Sequence, residues 1–175
     1  MKKIIVIVGM LVMLGSVLNA QESKIVSLPK FISKSIQVFT KYVNWPMNCK
    51  SGDFKIAIIG DKAVYNELSS SIVGTTVGAQ NVVVNYYAKV DEIQGFNHMI
   101  FISESNSGAL HKLIGKIGTD NTLVVSAKEG LIQSGSGINF VPVDGLMKFE
   151  ISKANINRRN LEVHSWLEKM GIKEG

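Results

Sequence analysis

Apolar positions in this chain fall into two alternating rhythms. From Leu28 to Tyr42 they recur at Phe31, Ile32, Ile36, Phe39 and Tyr42, steps of three and four that predict an amphipathic helix. Pro29 suits its first turn, and Trp45-Pro46 marks its end, because the residue before proline avoids helical backbone. Phe54 to Ile59 then runs almost unbroken in apolar residues, as expected of a strand covered on both faces, and stops at Gly60-Asp61. Val64–Ser71 reads as a helix and Gly74–Gly78 as a turn. Strands follow at 82–87, at 98–102 closed by Ser103-Glu104, and at 122–125 closed by Ser126. Between the last two, Leu110, Leu113, Ile114 and Ile117 set a helix over 107–117 that Gly118 terminates.

The rhythm changes after Gly135-Ser136-Gly137. Ile138–Val143 and Leu146–Ile151 are two strands joined by Asp144-Gly145, a two-residue hairpin signal. Asn139, Lys148 and Glu150 interrupt their apolar residues, which predicts a half-exposed hairpin at a sheet edge. A short helix capped by Ser152 runs to Arg159, and a last amphipathic piece covers 161–170. Strands alternating with helices imply a parallel sheet with helices on both faces. The expected class is therefore α/β: a single-domain three-layer sandwich, its sheet mostly parallel, with an antiparallel C-terminal edge hairpin.

The N-terminus follows neither rhythm. Met1-Lys2-Lys3 is basic, Ile4–Val17 is apolar, and Ala20 supplies a small residue, the pattern of a secretory signal peptide over residues 1–20. The rival reading, a membrane anchor, needs ~20 apolar residues, and this run is shorter. Residues 21–27 then form a short polar leader before a domain over 28–172. Export to the periplasm is the expectation.

Composition narrows the function. Of 175 residues, 46% are hydrophobic and 19% charged, ordinary for a folded domain of this size. The net charge is +5, but Lys2 and Lys3 belong to the leader, leaving 17 basic against 14 acidic residues. The basic residues are scattered and do not interleave with aromatics, so nucleic-acid binding is not expected. One cysteine allows neither a disulfide framework nor a four-cysteine zinc site. Cys49 lies beside Lys50, which could lower its thiol pKa, but no structured element is evident behind it. His98, His111 and His164 lie on separate elements without metal-ligand spacing, and Asp91-Glu92 are sequence neighbours that do not converge. Neither a catalytic constellation nor a metal or cofactor site is expected.

Two candidate sites remain. In an open parallel sheet, ligands gather beyond the carboxyl ends of the strands, here Gly60, Asp61, Ser103, Glu104 and Ser126. These residues either line a small-ligand pocket or simply begin polar loops. The hairpin edge needs cover from a helix, a second copy in a homodimer, or a partner strand. Asn139, Phe140, Lys148, Glu150, Arg158 and Arg159 are the candidates for that association surface; otherwise Phe140 and Phe149 are core and the charges are solvated. Trp45 is likewise either packed on the sheet or an exposed anchor.

Five segments in order, from Leu28 to Ile172, resemble the YfiR family of small exported bacterial proteins. They are Tyr42-Val43-Asn44-Trp45-Pro46; Ile56 through Gly60-Asp61; Gly74-Thr75-Thr76-Val77-Gly78; His98 through Ser103; and Gly135 with Gly137-Ile138-Asn139-Phe140, followed by Phe149-Glu150-Ile151. The resemblance implies a non-catalytic regulator. Such proteins repress a membrane-bound diguanylate cyclase through its periplasmic sensor domain, holding down cyclic di-GMP and the biofilm formation that follows. Related architectures place the domain beside histidine kinases. The best-known members also carry cysteine pairs, whereas Asn97 here stands before His98 and Cys49 has no second cysteine. An intramolecular disulfide switch is therefore impossible.

Overall fold

The computed structural model describes residues 27–172; the expected signal peptide and most of the polar leader lie outside them. Helix α1, Leu28–Tyr42, buries Ile32, Ser33, Ile36 and Phe39 along one stripe. The chain then extends through the two-residue strand β1, Val43–Asn44, and a single 3₁₀ turn at Met47–Cys49. Strand β2, Phe54–Ile59, leads into α2, Lys62–Ser71, whose N-cap Asp61 accepts the amide of Val64 at 2.9 Å. Strand β3, Thr76–Val77, turns at Gly78 into β4, Gln80–Tyr87, so a hairpin occupies what the sequence suggested was only a turn.

Strand β5, Met99–Ile102, is followed by a 3₁₀ segment, Glu104–Ala109, and α3, Leu110–Ile117. Then come β6, Leu123–Ser126, β7, Ile138–Val143, and β8, Leu146–Ile151. Asp144 and Gly145 both take positive φ, 52° and 75°, the backbone that a two-residue hairpin with primed-turn geometry needs. Helix α4, Lys153–Asn157, is shorter than expected. Strand β9, Glu162–Val163, takes the start of the final amphipathic piece, leaving α5 at Ser165–Met170.

Seven strands form one sheet in the order β3-β4-β2-β5-β6-β7-β8. The pairs from β4 through β7 are parallel, while β3 and β8 close the two edges antiparallel. A separate ribbon pairs β1 with β9, joining the start of the domain to its end. Residues of α1, α2, α4 and α5 pack with Ile56, Ile58 and Phe101 on one face. On the other, Leu110, Leu113 and Ile117 of α3 cover Ala57, Ile59, Ile100 and Ile102. This is the three-layer α/β arrangement that the alternating rhythms predict. Beyond the β8 edge, the amide of Ile172 donates to the Phe149 carbonyl at 2.9 Å, forming a parallel bridge at Glu150.

Candidate functional site

Strand order reverses at β2 and β5: α2 leaves β2 toward one face, and α3 follows β5 on the other. A crevice opens where such connections part. Its volume is about 560 Å³, and Gly60, Asp61, Ser103 and Glu104 are among its lining residues. Glycine suits position 60 on two counts: its φ is +75°, and an added Cβ would sit 1.8 Å from Asn106 Nδ2 and 2.6 Å from Ser103 Oγ. Asn106 Nδ2 donates to Ser103 Oγ at 3.3 Å, and Ser103 Oγ lies 2.9 Å from Ser105 Oγ, so the lip is cross-linked. Ile32, Phe101 and Phe140 form an apolar floor, with Pro142 and Met147 of the β7–β8 hairpin as a wall.

Ser126 does not line the crevice. It is fully buried; its hydroxyl donates to Asn139 Oδ1 at 2.7 Å and lies 2.8 Å from Ser136 Oγ. Sequence reasoning missed Lys128, Glu129, Ser105 and Met147, which do line it. Lys128 and Glu129 were discoverable, since the loop leaving β6 must emerge at the same end of the sheet.

The six association candidates do not share one exposed face. Asn139 is fully buried, with every polar position occupied. Its Oδ1 also accepts the Lys128 amide (3.2 Å), and its Nδ2 donates to the Lys128 carbonyl (2.8 Å) and to Glu150 Oε2 (3.0 Å). It therefore ties the crevice loop to the edge strand. Phe140 is core, within 5.9 Å of both Phe31 and Phe39 between ring centroids. Arg159 is 8% exposed, and its Nη1 donates to the carbonyls of Gly118 (3.2 Å) and Asp120 (3.3 Å). Burial pulls its pKa down, and the Asp120 charge opposes that shift. Lys148 and Glu150 remain half-exposed on β8, and Arg158 is exposed. The expectation treated polar residues as outward-facing, but β7 is flanked by β6 and β8, and Asn139 finds its partners inside.

Trp45 and His98 form a second buried constellation. Trp45 is 5% exposed, its indole N–H donates to the His98 carbonyl at 3.1 Å, and its ring meets Phe54 edge-on at 4.8 Å. The His98 ring stacks on Phe54 at 4.4 Å. Its Nδ1 accepts the Lys55 amide at 3.0 Å, leaving Nε2–H to donate to the Cys49 carbonyl at 2.8 Å. This fixes a neutral tautomer. Burial, chiefly, holds the His98 pKa below the usual imidazole value; the Cys49 carbonyl opposes that and the Lys55 charge adds to it.

Cys49 is buried within a 3₁₀ turn rather than loose in a loop, and its Sγ–H donates to Asn121 Oδ1 at 3.5 Å. Burial and then the Asp120 charge push its thiol pKa up, the reverse of the lowering expected from Lys50. Among the motif residues, Pro46 is half-buried ahead of that turn, and Phe149 meets Phe39 at 5.3 Å. Gly137 sits where a Cβ would come within 3.0 Å of Ile156 and Leu123 side-chain atoms.

A family model described as YfiR/HmsC-like matches residues 33–171. No curated protein matches the chain. Among the described residues, no helix is long and apolar enough to cross a membrane.

Proposed function

The chain belongs to the YfiR/HmsC-like family, and on that premise we propose that it is an exported periplasmic protein restraining a membrane-bound signalling enzyme. The enzyme is a diguanylate cyclase or a sensor histidine kinase, engaged through its periplasmic domain. The family is one of periplasmic regulators rather than catalysts. The observation that carries the reading is the extent of the match, from within α1 to the end of α5, so the whole layered unit is shared.

The β8 edge supplies the contact surface. Ile172 covers it at Glu150, whereas Leu146, 66% exposed, and half-buried Lys148 lie beyond that bridge. A partner strand or a second copy pairs with this stretch, with Lys148, Glu150 and Arg158 as polar contacts. Arg159 belongs to the fold and drops out of this surface. Deleting the gene tests the reading: cyclic di-GMP should rise and fall again on re-expression of the whole sequence, but not of a version lacking residues 1–20. A kinase partner would instead change phosphorylation of its response regulator. If neither output moves, the proposal fails.

A second reading, a small-ligand receptor, is favoured by the 560 Å³ crevice at the strand-order reversal. It is compatible with the first, because Pro142 and Met147 place the hairpin in the crevice wall.

A further inference from the structure

A second groove, about 520 Å³, lies near the amino end of β2, away from the crevice. Val43, Trp45, Phe54 and Val77 make its floor and sides, and Lys41 and Lys50 stand exposed at its rim. Its other lining side chains are uncharged, and no carboxylate is among them. The ion pairs among the described residues are Lys112–Asp91 and Lys153–Glu168, so neither rim lysine is neutralised. Two free cations above an apolar floor attract a ligand that is negative at one end and apolar along its body.

We propose that this groove binds an anionic amphiphile, an apolar chain ending in a carboxylate or phosphate. An acidic peptide fits less well. The adjoining edge strand β3 has only two residues, too few for the backbone ladder by which an added strand is held. The site goes beyond the regulatory reading and does not depend on it.

Trp45 reports on its own floor. The chain has two tryptophans, and Trp166→Phe removes the exposed one, leaving Trp45 as the sole emitter. Brominated stearate, added below its aggregation threshold to the purified protein, should quench Trp45 saturably. Lys41→Glu with Lys50→Glu should weaken this on the order of tenfold, while circular dichroism confirms an unchanged fold. Dodecyltrimethylammonium should not displace the stearate. Phosphatidylglycerol vesicles carrying brominated chains separate the two sources: quenching by free stearate alone identifies a soluble carboxylate, and quenching by vesicles alone a lipid surface. Absence of quenching by both overturns the proposal. So does indifference to the lysine reversals, equal displacement by the cationic amphiphile, or binding of an acidic peptide in place of the stearate.

Discussion

Replacing Trp45 by alanine separates packing from anchoring. The ring is 5% exposed against Phe54 and His98, so truncation removes a large buried surface and leaves a cavity that strand β2 cannot close. Such truncations cost about 3–5 kcal/mol. The lost hydrogen bond adds little, because the His98 carbonyl also accepts the Leu123 amide at 2.8 Å and keeps that partner. Trp45→Phe isolates this smaller part and should cost about 1 kcal/mol more than its packing change alone. Domains of this size lose about 2–4 °C in midpoint per kcal/mol, so Trp45→Ala should melt on the order of 10 °C early. Far-ultraviolet circular dichroism is the assay, since it does not depend on the deleted fluorophore. If Trp45→Ala melted with the parent and lost only partner binding, the ring would be an anchor and the packing argument would be wrong.

Asn139→Leu keeps the branched shape in a larger side chain and leaves the Lys128 amide and carbonyl without their side-chain partner, while Ser126 keeps only Ser136. It should cost about 2–4 kcal/mol in denaturant titration and speed hydrogen exchange in the loop following Ser126. Gly60→Ala combines positive φ with clashes against Asn106 Nδ2 and Ser103 Oγ. Asn106→Ala in the same chain should therefore recover only the larger part of the steric cost, leaving the Ser103 contact and about 1 kcal/mol of backbone strain. His98 is harder to protonate folded than unfolded, so its contribution to stability is complete above the unfolded value near 6.5. That contribution declines as pH falls from there toward the depressed folded value. Chemical denaturation at successive pH values should show the decline in the parent and its loss in His98→Gln. Cys49, buried with a raised thiol pKa, should react with iodoacetamide only as the chain unfolds.

Much of this fold was legible because it rests on period. The stripe Ile32, Ile36, Phe39 and the runs 54–59 and 99–102 each satisfy one geometry and violate the other. The β1–β9 ribbon was not legible: two residues on each side carry no period, and Val43 meets Val163 only because the tertiary fold brings them together. Thr76–Val77 paired for a similar reason, with Gly78 supplying the turn backbone that made the segment read as loop alone. The crevice was legible in four residues, since strand ends are visible in sequence. Ser126 and Asn139 were misread together. Each looks like surface in isolation, and both are buried because their bonds to each other, to Ser136 and to the Lys128 backbone satisfy their polar atoms.

The β1–β9 ribbon and the Phe39–Phe149 contact also set the order of events during biosynthesis. The chain emerges amino end first, and α1 arrives with Ile36 and Phe39 needing surfaces from β7, β8 and α5 that are made last. Loop closure over more than a hundred residues must precede these contacts, which slows folding and leaves an apolar helix face uncovered meanwhile. A polypeptide threaded through a translocation channel in that direction would complete its core only after its final helix had passed. Stalling before α5 would strand a half-layered intermediate, the form in which a holding chaperone would meet it.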